Sequence, residues 1–272
     1  MTAADTDAAT KLRAVVLAAL VVGSVVAVSV GSLPVVAANE STLVVDGDAD
    51  EGDYSSIQAA IDAAANTSGS QRHVIEVQAY ESGTYSSFDV STSSVTIRAS
   101  DSVSEKPTVE VTSDRMDLTT GTVLEGFDID LGGDLEIYAK GDDIVVKNND
   151  IEISGTSKYG LRLGDADDAL VVDNEFTQVK YTGSGSPQGV LVSGSVNVTV
   201  RDNTLTGENR GQAVLVSNNG NNGDSSDVEI RDNTVSGWAN GVLLYANKDT
   251  IKSVDITGNQ ISKTTDVPVG AF

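Results

Sequence analysis

The chain has 272 residues, with 40 acidic against 17 basic side chains and a formal net charge of −23. A field of that sign repels phosphate backbones, which excludes nucleic acid as a partner. The absence of cysteine removes disulfides and thiolate metal sites, and the single histidine, His73, removes any mechanism that needs two imidazoles.

Aromatic residues make up 4% of the chain, glycine is abundant at 26 and proline scarce at 4. Val, Ile, Thr, Ser, Asn and Gly dominate, which is the composition of short strands and turns rather than of packed helices. In chain order, Lys11 and Arg13 precede an apolar run from Ala14 to Val36, and Val36-Ala37-Ala38 offers small residues for cleavage before Asn39. This predicts a signal peptide over 1–38 and a folded domain over 39–272. The run is also long enough to span a bilayer, so a retained anchor is the alternative and the only route to a membrane. Either outcome places the folded part outside the cell, at its surface. The stretch from Lys11 to Leu20 is similar to signal peptides of haloarchaeal surface glycoproteins, and the acid-rich, lysine-poor composition resembles that of halophilic proteins. Three sequons, beginning at Asn39, Asn66 and Asn197, are then candidate glycosylation sites.

Asp46-Gly47-Asp48-Ala49-Asp50-Glu51-Gly52-Asp53 invites a calcium reading, but Glu51 and Ile57 stand where an EF-hand needs Gly and a bidentate Glu. A solvated turn is the simpler reading. Next, Ser55-Ser56-Ile57-Gln58 opens as a capping box, and Ile57, Ala60, Ile61 and Ala64 share one helical face. This predicts a capping helix over about 55–66 that covers the first exposed strand edges. His73 precedes a strand, and a surface or capping role suits it better than catalysis.

One pattern recurs five times: apolar, any, apolar, two residues, Asn, any, apolar. It places Asn149, Asn174, Asn203, Asn233 and Asn259 at equivalent positions, with Phe127 and Ser100 in the slot of two degenerate earlier copies. Successive anchors are 22 to 30 residues apart. A second element, Gly or Ala followed by alternating apolar residues, begins at Gly160, Gly189, Ala213 and Gly241. Two strand signals per repeat with variable loops describe one coil of a solenoid, because a single coil cannot bury its own apolar face. The predicted fold is all-β: a right-handed single-stranded parallel β-helix of about seven coils. Each Asn then bonds to those above and below it, forming a structural ladder. Gly270 follows Asn259 by the same offset as Gly160 follows Asn149, so Gly270-Ala271-Phe272 starts another such strand. The last coil is therefore incomplete: either the chain is a fragment, or a partner closes it.

Val45-Asp46-Gly47-Asp48, Asp53-Tyr54-Ser55-Ser56-Ile57-Gln58-Ala59-Ala60-Ile61, Ile75-Glu76-Val77 and Gly83-Thr84-Tyr85 resemble the opening of pectin-lyase-like β-helix proteins. Leu124-Glu125-Gly126-Phe127-Asp128-Ile129 is similar to coils of the NosD and carbohydrate-binding sugar-hydrolase group. The resemblance covers about 43–272 and implies the fold, while the superfamily spans lyases, hydrolases, esterases and inert scaffolds. The Phe-Ile-Phe-Gly block of its esterases is missing. Asp167-Asp168 stands alone without the other hydrolase blocks. The resemblance leaves open a calcium-assisted lyase on an acidic polymer, with Arg162 or Arg210 as base.

Loop positions gather Lys158, Tyr159, Lys180, Tyr181, Arg210, Trp238 and Lys263 on one side, with Arg162 just beyond. Aromatic faces and cations suit a glycan, so all of these except Lys263 are the candidate glycan contacts. Relief of carboxylate repulsion is the plainer role for the cations. Asp165, Asp167 and Asp168 are candidate metal ligands for Ca²⁺, although no cofactor is required. Outward Leu191, Leu215 and Leu243 form an apolar stripe that either supports an oligomer or lies under the loop from Ser217 to Asp227. The leading expectation is a non-catalytic glycan-binding or glycan-displaying surface scaffold, with the lyase and a structural subunit of a surface assembly as alternatives.

Overall fold

The computed structural model describes residues 40–48, 52–67, 72–80, 83–111, 115–218, 223–246 and 250–271. The expected signal segment and the sequon residue Asn39 lie outside them. Among the described residues, twenty-four short strands form three parallel sheets of nine, eight and seven strands. From Val95 onward the chain visits the first, second and third sheets in turn, seven times over. Each strand pairs in parallel with its counterpart one coil on, as Ile97 with Leu124, Ile129 with Ile151 and Leu161 with Val190. This is the predicted β-solenoid, with three strands per coil where the sequence pattern signalled two.

The third strand arises at the asparagines. The stretch containing each Asn is not one bent strand but two, broken by a residue with positive φ just before the Asn: Asn148, Asp173, Asp202, Asp232 and Gly258, with Gly126 doing the same before Phe127. Gly, Asn and Asp tolerate that left-handed conformation best. The turn directs the Asn side chain inward. Nδ2 of Asn149 donates to Oδ1 of Asn174 at 3.0 Å, and the chain continues through Asn203 and Asn233 to Asn259 at 2.9–3.0 Å. Each Oδ1 also accepts the backbone N–H of the slot residue one coil before, which ends the file at Phe127 on Asn149. Nδ2 closes on carbonyls of its own and the preceding coil, for example Val172 and Val146 for Asn174. Ser100, in the earliest slot, instead donates to Glu76.

Apolar columns fill the interior. Ile75, Ile97, Leu124, Val146, Val171, Val200 and Ile230 stack in the first sheet, all fully buried. Glycine recurs at the start of the third-sheet strands because of close approach. A Cβ on Gly160 would lie 2.6 Å from the Gly189 carbonyl oxygen and 2.7 Å from Ile153, and one on Gly189 would lie 2.7 Å from the Ala213 carbonyl.

The helix Ile57–Ala65 buries Ile57, Ala60, Ile61 and Ala64 against the first coils, as the periodicity predicts. Its cap is simpler than a box: Ser56 Oγ accepts from Ala59 N at 3.2 Å, while Gln58 turns to Asp62 and to the backbone of Asp89. His73 lies beside the helix end, its Nδ1 against Ser41 Oγ (2.9 Å) and Nε2 against Thr67 Oγ1 (3.2 Å). Two register expectations change. Val269, not Gly270, pairs with Val242, so Gly270 falls opposite the outward Leu243, because the preceding loop differs in length. The loop from Ser217 is also shorter than expected, since strands Gln212–Asn218 and Ser225–Arg231 extend into it. Among the described residues no helix is long and apolar enough to cross a membrane.

Candidate functional site

Alternation in the third sheet turns one side chain per strand outward, and the register stacks Asp117, Tyr138, Arg162, Leu191, Leu215 and Leu243 into a single file. The first three are polar and lie on strands Met116–Leu118, Ile137–Ala139 and Tyr159–Gly164. Beside them opens a groove of about 690 Å³ lined by Asp89, Arg115, Asp117, Asp134, Leu135, Glu136, Lys158 and Tyr159. A second hollow of about 410 Å³ shares Arg115 and Asp117 and adds Tyr138 and Lys140.

Two guanidiniums lie over one ring, Arg115 at 4.4 Å and Arg162 at 4.9 Å from the Tyr138 centroid. Arg115 Nε pairs with Asp117 Oδ1 at 2.6 Å, and Asp117 N donates to Asp89 Oδ1 at 3.0 Å. Arg162 Nη1 stands 3.6 Å from Glu136 Oε1, an ion pair too long for a good hydrogen bond. Glu136 has only 14% of its side chain exposed. Burial pushes its carboxyl above the usual range, partly offset by Arg162 and Arg115. Arg162 Nε and Glu136 Oε2 are both covered and have no hydrogen-bond partner among the described residues. Lys158 lies over Tyr159 at 5.3 Å.

Lys158, Tyr159 and Arg162 thus come together as the sequence suggested. Arg210 sits over Tyr181 at 5.3 Å on exposed loops of the same side, and Lys180 is an exposed positive-φ residue beside them. Trp238 leaves the candidate set. It is fully buried, because the positive φ of Gly237 turns it inward and Gly189 and Gly207 leave room for its ring. Arg115, Asp117, Glu136 and Tyr138 were missed, since they occupy the two degenerate coils where the Asn slot holds Ser100 and Phe127. The Tyr-x-Lys of Ile137-Tyr138-Ala139-Lys140 was the available signal, an outward aromatic between inward apolar residues.

The acidic turn from Asp165 to Asp168 is tied into the fold. Asp167 Oδ1 accepts Val196 N at 2.8 Å, Asp168 Oδ1 accepts Asn197 Nδ2 at 2.5 Å, and Asp165 faces Lys140 at 3.9 Å. Among the described residues no three His, Cys, Asp or Glu side chains converge at metal-binding spacing. The leucines stack as expected, but Leu191 is 7% exposed and Leu215 and Leu243 are half-buried, a narrower apolar surface than an open stripe.

Residues 66–270 match the family described as periplasmic copper-binding protein (NosD), and the chain belongs to that family of parallel β-helix proteins. No curated protein sequence matches the chain. Among solved structures it is similar to the A-module of the Azotobacter vinelandii mannuronan C-5 epimerase AlgE4, at 14% identity over 79% of this chain and 94% of that one, with a TM-score of 0.24. A likeness that loose bears on neither residues nor substrate.

The copper of the family's description finds a poor donor set here. Copper favours imidazole, thiolate and thioether ligands. The chain has no cysteine, both nitrogens of His73 are hydrogen-bonded, and Met116 is fully buried in the core. The described residues do not fit a copper site.

Proposed function

We propose that this protein is an exported β-helix that binds glycan in the groove beside Asp117, Tyr138 and Arg162. The observation that carries this reading is that two cations, four carboxylates and a tyrosine from successive coils line one groove, with Tyr138 and Arg162 stacked beside it. A polyhydroxylated chain laid across the strands would meet repeated donors and acceptors at the coil spacing of roughly 4.8 Å. Export follows from the basic-then-apolar segment over 1–38 and agrees with the periplasmic description of the family. The sequon residues Asn66 and Asn197 are exposed, and glycosylation there would require their amides to leave the Asp62 carbonyl and Asp168 Oδ1.

A second reading, the calcium-assisted lyase, is favoured by one feature: four carboxylates line the groove and one of them, Glu136, pairs with Arg162, while among the described residues no three acids converge at metal-binding spacing. Arg162 would then be the base.

Glycan-array binding of the purified chain, followed by titration of the hits, tests the proposal. The expected result is saturable binding that falls about tenfold or more in both Tyr138→Ala and Arg162→Ala, with Arg201→Ala, on the first sheet, unchanged. Equal binding by all three variants would place the glycan elsewhere.

A further inference from the structure

The geometry points to an uncharged, hydroxyl-rich sugar chain as the ligand of this groove, held where Arg162 and Glu136 stand apart. This rests on the glycan reading above and narrows it. The charges argue first. Arg115 is matched by Asp117 at 2.6 Å and Arg162 by Glu136 at 3.6 Å. Asp89 and Asp134 also line the groove, so four carboxylates face three cations within a molecule of net charge −23. A uronate or sulfate would add like charge there, and juxtaposed like charges in a half-buried site oppose binding.

Hydrogen-bond complementarity argues second. Arg162 Nε, a donor, and Glu136 Oε2, an acceptor, are both covered and have no partner among the described residues, on side chains whose ion pair is not closed. An anionic oxygen only accepts, and an ammonium only donates. A sugar hydroxyl does both, so it can accept from the guanidinium and donate to the carboxylate as the loose pair parts around it. Leaving either group unpaired in a dried groove would cost binding. Tyr138 and Tyr159 fit the same picture. Cations already lie over their rings, and their phenolic hydroxyls extend the set of neutral partners.

The test is calorimetric titration of the full exported chain with two sets of hexasaccharides at one ionic strength: neutral (cello-, xylo-, manno- and malto-hexaose) and uronic (hexagalacturonate and hexamannuronate). The expected result is saturable binding of at least one neutral chain, about tenfold or more tighter than either uronate. Glu136→Gln, which keeps an acceptor but removes the charge, should narrow that gap by strengthening uronate binding. Uronates that bind as tightly as the neutral chains, or are cleaved to unsaturated products, would overturn the inference while leaving glycan binding in place. No binding by either set, with the protein folded by circular dichroism, would overturn both.

Discussion

Each interior asparagine is committed on every side, which makes its cost of removal depend on its place in the file. Asn203 accepts from the N–H and the amide of Asn174, and gives its own amide to Asn233 and to the carbonyls of Val171 and Arg201. Asn203→Ala would leave several buried groups unpaired, each costing about 1–3 kcal/mol. A loss of roughly 3 kcal/mol or more is expected in denaturant unfolding. Asn259, half-exposed at the last turn of the file, should cost less on the same substitution, about 1 kcal/mol. Equal losses would mean that the file does not act as a ladder.

Glu136 offers a residue-scale test of a different kind. Its carboxyl is raised in the folded protein, chiefly by burial. A raised folded value means that its contribution is fully present below the unfolded pKa of about 4.3 and is lost as pH rises through the folded one. Glu136→Gln should therefore gain melting temperature relative to the parent chain at neutral pH, and the gain should shrink as the solution is acidified. A gap independent of pH would contradict the burial argument.

At the level of elements, the inward positions were legible because each is confined. A period of two puts Val, Ile and Leu in the core, a left-handed turn calls for Asp, Asn or Gly, and close backbone approach calls for Gly. The capping helix was legible for the same reason: its buried face must repeat every three to four residues. Ser56→Ala should cost about 1 kcal/mol, read by the shift of the unfolding midpoint, since its hydroxyl holds the first turn through Ala59 N. Loop lengths were not confined, and the misplaced register of Gly270 and the inward turn of Trp238 both came from loops. The outward file was half legible. Lys158, Tyr159 and Arg162 stood out as cations and aromatics in an acidic chain, whereas Glu136 and Asp117 looked like two more of 40 acids until the coils were stacked.

Over the whole molecule, the winding gives each face its own chemistry. Outward positions of the second sheet stack Glu110, Asp130 and Glu152 in one file and Asp128, Asp150 and Glu175 in the next. Burial and the neighbouring Asp150 raise Asp128, with Lys106 opposing. The third sheet passes from the charged groove to the leucines. All of this depends on residues 20 to 32 apart in sequence lying side by side. The cysteine-free background makes that directly measurable. Thr177 and Thr206 are register partners on adjacent coils, and Ser236 pairs with Thr206 one coil further on. Adjacent coils lie roughly 4.8 Å apart, within the Cα separation of about 4.4–6.8 Å that a disulfide spans. Under mild oxidation Thr177→Cys/Thr206→Cys should cross-link within one chain in near-full yield, and Thr177→Cys/Ser236→Cys should not. A free adjacent pair, or a cross-link that forms only when a coil is skipped, would contradict the winding and the groove built on it.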